Sequence, residues 1–111
     1  MIIIKTLVNL LEIKEKYNHF FAKMVKIVVD IEKEIIALDS ELHADLEQLL
    51  LENDSDQKNL WGANIYFEGP IFIEFTSLIN IRPAQGNKSM EVQNPEIRKK
   101  IEEITHRLIQ K

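Results

Sequence analysis

Two runs of strict alternation flank a Gly69-Pro70 pair: LWGANIYF at 60–67 and FIEFTSLINIR at 72–82. Alternation over seven or more residues marks a strand with one buried face, and it excludes a helical stripe. Two such runs joined by a Gly-Pro turn predict neighbouring antiparallel strands. Trp61, Ala63, Ile65 and Phe67 would share one side, leaving Gly62, Asn64 and Tyr66 on the other. In the second run Ile73, Phe75, Ser77, Ile79 and Ile81 would oppose Phe72, Glu74, Thr76, Leu78, Asn80 and Arg82. The rest of the chain must fit around this sheet.

The β-branched IIIK at 2–5 predicts a short strand. Asn9 and Glu12 form a capping-box pair ahead of Leu10, Ile13, Tyr17, Phe20 and Phe21, which predicts a helix over 10–22. In VKIVVDIEKEIIAL the Val/Ile density favours two strands, 25–31 and 35–39, turning at Glu32-Lys33-Glu34. At the other end Asn94 caps, Pro95 opens, and Ile97, Ile101, Ile104 and Leu108 form a stripe, so a helix spans 95–109. PAQGNKS at 83–89 has loop composition.

Residues 41–50, ELHADLEQLL, carry conflicting signals. Leu42, Leu46, Leu49 and Leu50 make a helical stripe of good helix formers. Yet Glu41, His43, Asp45 and Glu47 recur at every second position. With a strand before it and a loop, ENDSDQKN, after it, a strand over 41–50 gives a continuous meander. The expected fold is α+β. An antiparallel β-meander carries two amphipathic helices on one face, in the order β-α-β-β-β-β-β-α, as a single domain over residues 1–111. The second face of the sheet would be left to water or to a ligand.

On that face the polar residues of three strands would gather Glu41, His43, Asp45, Glu47, Asn64 and Arg82. His43, Asp45 and Glu47 are candidate metal ligands, offering nitrogen and oxygen donors about 7 Å apart. Arg82 could fork onto a carboxylate or phosphate, and His43 beside a carboxylate could act as a general base. The plain alternative is a solvated face, which any one-sided antiparallel sheet shows. No cofactor is indicated. Glycine-rich nucleotide fingerprints, a His-Glu-x-x-His pair and a Gly-x-Ser-x-Gly elbow are all missing from the sequence.

Charge narrows the partners. Net charge is −4, but residues 30–56 set ten acids against Lys33 alone, whereas residues 82–111 are basic on balance. The acidic segment suits a cation or a basic partner and makes nucleic acid an unlikely ligand. The chain has no cysteine, which removes disulfides, thiolate metal sites and thiol nucleophiles. MIIIK falls short of a signal peptide and no run spans a membrane, so a cytoplasmic location is expected.

The stretches ELHADLEQLLLENDSDQKNLWGANIY and SLINIRPAQGNKS, with MIIIK and MVKIVVDIEKEIIAL, resemble a family of uncharacterised prokaryotic proteins of about 110 residues. The family often has glycine just before Glu-Leu-His and again in the following loop. Here Asp39-Ser40 and Asn53-Asp54-Ser55 stand there, which weakens an inference of tight turns from the resemblance, although Asp39-Ser40 reads as a turn by its own composition. The resemblance implies a small cytoplasmic domain of unknown function and no particular reaction. Two classes lead, with a nucleic-acid regulator using the C-terminal basic helix third. One is a non-enzymatic binding or interaction module, self-associating, that uses the polar sheet face or the acidic middle. The other is a metal- or anion-dependent small-molecule enzyme using His43, Asp45, Glu47 and Arg82.

Overall fold

The computed structural model describes residues 1–111 and centres on a five-stranded antiparallel sheet. Its elements are β1 (Ile2–Ile4), β2 (Val8–Asn9), α1 (Leu10–Lys16), β3 (Met24–Asp30), β4 (Ile35–Leu38), α2 (His43–Glu52), β5 (Leu60–Tyr66), β6 (Ile73–Glu74), α3 (Pro95–Leu108) and β7 (Ile109–Gln110). The sheet order is β1-β4-β3-β5-β6, and β2 and β7 form a separate parallel pair. The fold class is α+β, as the sequence predicts.

Strands β3 and β4 close as the expected hairpin. The buried Asp30 carboxylate accepts the Glu32 and Lys33 amides, both at 2.9 Å, and Glu34 turns the chain at φ 58°. Ser55 donates to the other Asp30 oxygen at 2.6 Å, tying the hairpin to the loop after α2. Helix α3 also follows the sequence. Asn94 Oδ1 caps Glu96 and Ile97, and Ile101, Ile104 and Leu108 are buried. Helix α1 stops at Lys16, short of the expected 22. Beyond it the His19 amide and imidazole are both held by Asp39, which draws the chain off the helical path.

The sheet is covered on both faces. On one, α1 and α3 pack over Val25, Ile27, Val29, Trp61, Ala63 and Ile65. On the other, Leu46 and Leu50 of α2 pack against Val28, Ala37 and Leu60. This corrects the expected strand at 41–50, which is helix from His43 onward. Both edges of β4 are already taken, by β1 and β3, so no place in the sheet adjoins it for a further strand. The exposed apolar patch at Val28, Ala37 and Leu60 also needs a lid, which Leu46 and Leu50, one helical turn apart, supply. The free polar face therefore shrinks to the part α2 leaves open.

Both places without the family's glycine turn tightly, at Asp39 as its composition predicts and at Asp54 within the expected loop. Asp39 and Asp54 each adopt φ 72°, the left-handed region that Asp tolerates better than most residues. Asp54 follows the helix cap Asn53, and Ser55 N donates to Leu50 O at 3.0 Å, closing α2 by a Schellman-type bond.

The second alternating run departs furthest from expectation. Only Ile73–Glu74 pairs with β5, through Asn64↔Glu74 and Ile65↔Ile73. Residues 78–80 wind into a 3-10 turn. The edge of β5 at Gly62 is instead satisfied by one side chain. Asn80 Oδ1 accepts Gly62 N, and Asn80 Nδ2 donates to Gly62 O, both at 2.9 Å. Gly62 admits this close approach because it lacks a Cβ, which would lie 2.5 Å from Ser77 Cβ.

Candidate functional site

The six residues singled out by alternation are dispersed by the helix. Glu41 and Asp45 are exposed. The Asp45 carboxylate lies 3.5 Å from Ser40 Oγ. Glu47 bonds Arg82 Nη2 at 3.1 Å, with both side chains mostly buried. Arg82 spends its other donors on Ile79 O and Gln57 O, and its guanidinium lies over the Trp61 ring at 4.8 Å. Burial is the main cause that lowers the Arg82 pKa, and the charge and hydrogen bond of Glu47 oppose it. This group fastens α2 to the segment after β6, with one bond inside the protein from each of its three nitrogens.

No group of three His, Asp or Glu side chains comes close enough to hold a metal. At helical spacing His43, Asp45 and Glu47 project in different directions. His43 turns inward against β5, and Glu47 is taken by Arg82. The acidic segment is similarly divided. Asp30 holds the hairpin, Glu34 pairs with Arg107, Asp39 holds His19, and Glu47 holds Arg82.

Two of the six, His43 and Asn64, do meet. They line a cleft of about 450 Å³ between the first turn of α2, strands β3 and β5, and residues 76–79. His43 is buried, and its Nε2 donates to Ala63 O at 2.8 Å, which leaves Nδ1 as the lone-pair nitrogen of the neutral ring. Asn64 sits on the polar side of β5 opposite Lys26 of β3. Its Nδ2 donates to Glu74 Oε1 at 2.9 Å, while its Oδ1 is buried with no hydrogen-bond partner. The amide is near enough to favour a charged imidazole, yet outside hydrogen-bond geometry. Lys26, Thr76 and Ser77 complete the polar wall, and Leu42, Leu78 and Met90 form an exposed apolar rim. A concave apolar site with a few converging polar groups has the general form of a small-ligand pocket.

Burial is the main cause that pushes the His43 pKa below 6.5, with Lys26 adding to it; the Ala63 bond and the nearby Asn64 oppose. Unfolded His43 takes its proton near 6.5 and folded His43 only at lower pH. The unfolded state thus binds more protons in that window. Stability will be full above about pH 6.5 and will fall as pH drops toward the folded pKa, by at most about 1.4 kcal/mol per pH unit for this one group. His43→Gln keeps a donor for Ala63 O and should flatten that slope in denaturant unfolding between pH 7 and 5. An unchanged slope would show that His43 does not carry it.

Sequence reasoning set Thr76 on the polar face with Asn64, but missed Lys26 and placed Ser77 on the opposite side. The signal available was KIVVD, where unbroken apolar residues mark a strand covered on both faces and Lys26 marks where the cover ends. A second cleft of about 350 Å³ lies between Lys14, Phe67, Phe72 and Lys111. His19 and His106 stand apart from both: His19 is held by Asp39, and His106 stacks on Phe72 at 5.3 Å between centroids. The PAQGNKS loop is held inward by Asn87, whose amide reaches the Asn80, Ser89 and Glu91 carbonyls. No helix is long and apolar enough to cross a membrane.

Comparison with curated proteins and with solved structures finds no match to the chain. A family model does match, over residues 2–108, nearly the full length carrying the sheet, the three helices and the cleft. The chain belongs to the family described as "Protein of unknown function (DUF5674)".

Proposed function

We propose that the protein is a cytoplasmic small-ligand binding module, with its site in the cleft between the α2 first turn and residues 76–79. The observation that carries this reading is the cleft itself. It brings the buried His43, the half-buried Lys26 and the unpartnered Asn64 Oδ1 beneath an exposed apolar rim. Buried polar atoms are normally hydrogen-bonded, so an orphan oxygen in the wall of a cleft is a reason to look for a ligand. The site is a remnant of the polar sheet face, reduced to the portion α2 does not cover.

An enzymatic reading has one specific support. The buried imidazole is held neutral, with Nδ1 available as a base. No carboxylate orients His43, whose bond runs to a backbone carbonyl, so binding is the better-supported function.

Amide NMR with a diverse fragment set tests the proposal. Bound fragments should shift the resonances of Lys26, His43, Asn64 and Thr76. Asn64→Ala should weaken the best of them at least tenfold, about 1.4 kcal/mol. If no fragment perturbs these residues, or if shifts gather at Lys14 and Phe67 instead, the cleft is not the site.

A further inference from the structure

The walls of this cleft also specify a ligand. Its only ionisable side chains are Lys26 and His43, and no carboxylate lines it, in a chain with 18 acidic and 14 basic residues. Lys26 makes no ion pair; its ammonium lies over the Phe21 ring, 5.3 Å from the centroid. One fixed positive charge without a counterion calls for one negative charge. The ten-residue α2 adds to this. It has no side-chain cap on its first turn, and Leu42, His43 and Ala44, which open it, line the same cleft. Amides without a side-chain cap at a helix start favour a negative charge, which Asp45 in the same turn supplies in part.

Asn64 imposes a second requirement. Its residue is 8% exposed and its Nδ2 is committed to Glu74, so Oδ1 is open to a donor: a ligand N–H above the His43 pKa, or His43 Nδ1 once the ring is protonated. The ligand's donor should be neutral. An ammonium would stand beside Lys26, and the nearby carboxylate, Glu74, is already engaged by Asn64 Nδ2 and the Tyr66 hydroxyl. The third requirement is apolar. Leu42, Leu78 and Met90 are 54%, 71% and 41% exposed at the mouth, with Ile79 behind them. They would be covered by an aliphatic side chain.

We infer that the cleft binds an N-acylated apolar amino acid: a carboxylate held by Lys26 and the α2 first turn, the adjacent amide N–H given to Asn64 Oδ1, and the aliphatic side chain laid on Leu42, Leu78 and Met90. The inference rests on the binding-module reading and narrows it. The same chemistry occurs in a free N-acyl amino acid and at the C-terminus of a peptide ending in an apolar residue.

Calorimetry and amide NMR on the full chain, with four probes, test it. N-acetyl-leucine should bind and shift Lys26, Ala44, Asn64 and Leu78. N-acetyl-leucinamide, which lacks the charge, and free leucine, which replaces the amide by an ammonium, should each bind at least tenfold more weakly. Lys26→Met should bring the acid and its amide to equal affinity while leaving the unbound spectrum folded. Asn64→Ser, a milder change than truncation, should reduce the preference for the acylated form over free leucine in a folded protein. A tripeptide ending in leucine that binds more tightly than N-acetyl-leucine would assign the ligand to a chain terminus; equal binding would assign it to the free acid. Both keep the chemistry. Equal binding of acid and amide by the unaltered protein overturns the carboxylate. If neutral fragments occupy the cleft but no carboxylate does, this inference falls and the binding module stands. If nothing enters the cleft, both fall.

Discussion

Asn80→Ala will cost about 3–5 kcal/mol of folding stability, although the residue lies in an irregular segment between recognisable elements. Asn80 is fully buried and its side chain makes three bonds, to Gly62 N, Gly62 O and Met90 O, all at 3.0 Å or less. It stands in for a neighbouring strand where β6 has ended. Alanine would leave the Gly62 N–H and C=O unpaired inside the protein, while Met90 O would keep the Ser77 amide at 3.0 Å. Each orphan costs about 1–3 kcal/mol, and coupling among neighbours keeps the total below the simple sum. Asn80→Asp keeps one acceptor, loses both donors, and sets a charge against two carbonyls, so it should be no better. Urea unfolding measures the loss. A change under about 1 kcal/mol for Asn80→Ala would mean that water or a local rearrangement replaces the amide, and that Asn80 does not organise this edge.

That segment shows why the second alternating run misled. SLINIR alternates as a strand would, but its polar members are not solvated. Asn80 and Ser77 face the β5 backbone and Arg82 crosses to α2. Alternation reports which side chains face inward and which outward, and it cannot tell an outward polar residue from one bonded to a neighbouring main chain. Strand β5, by contrast, was legible because both of its faces and its turn signals agree. The β3–β4 hairpin was legible from Val/Ile density around a charged turn. Helix α3 was legible because cap, first-turn proline and stripe fall in register. Of the candidate residues, His43 and Asn64 line the proposed cleft, whereas Glu47 and Arg82 form a structural pair, and Lys26 was hidden in a strand that reads as core. The left-handed backbone at Asp39 and Asp54 was not legible without glycine, because it is set by the surrounding fold, and Asp accepts it when the neighbouring bonds hold it there.

The status of residues 41–50 can be tested by energetics alone, and this carries the second large effect. In the strand reading Leu42, Leu46 and Leu50 share one face, so all three would be buried together. In the helix they separate: Leu46 and Leu50 are fully buried against Val28, Ala37 and Leu60, while Leu42 is 54% exposed at the mouth of the cleft. Leu50→Ala should therefore cost about 2–5 kcal/mol, and Leu46→Ala a similar amount, through lost burial and the cavity left behind. Leu42→Ala should cost less than about 1 kcal/mol, since more than half of its surface stays in water and its removal leaves no closed cavity. Three urea curves decide between the readings. Large and equal losses at all three positions would restore the strand and remove the cleft, because Leu42 could then not lie at its rim. A steep loss at Leu50 and Leu46 with a shallow one at Leu42 fixes α2 as a docked helix. The same Leu42→Ala protein, still folded, then connects stability to function: it should lose affinity for an aliphatic ligand while its unfolding midpoint barely moves.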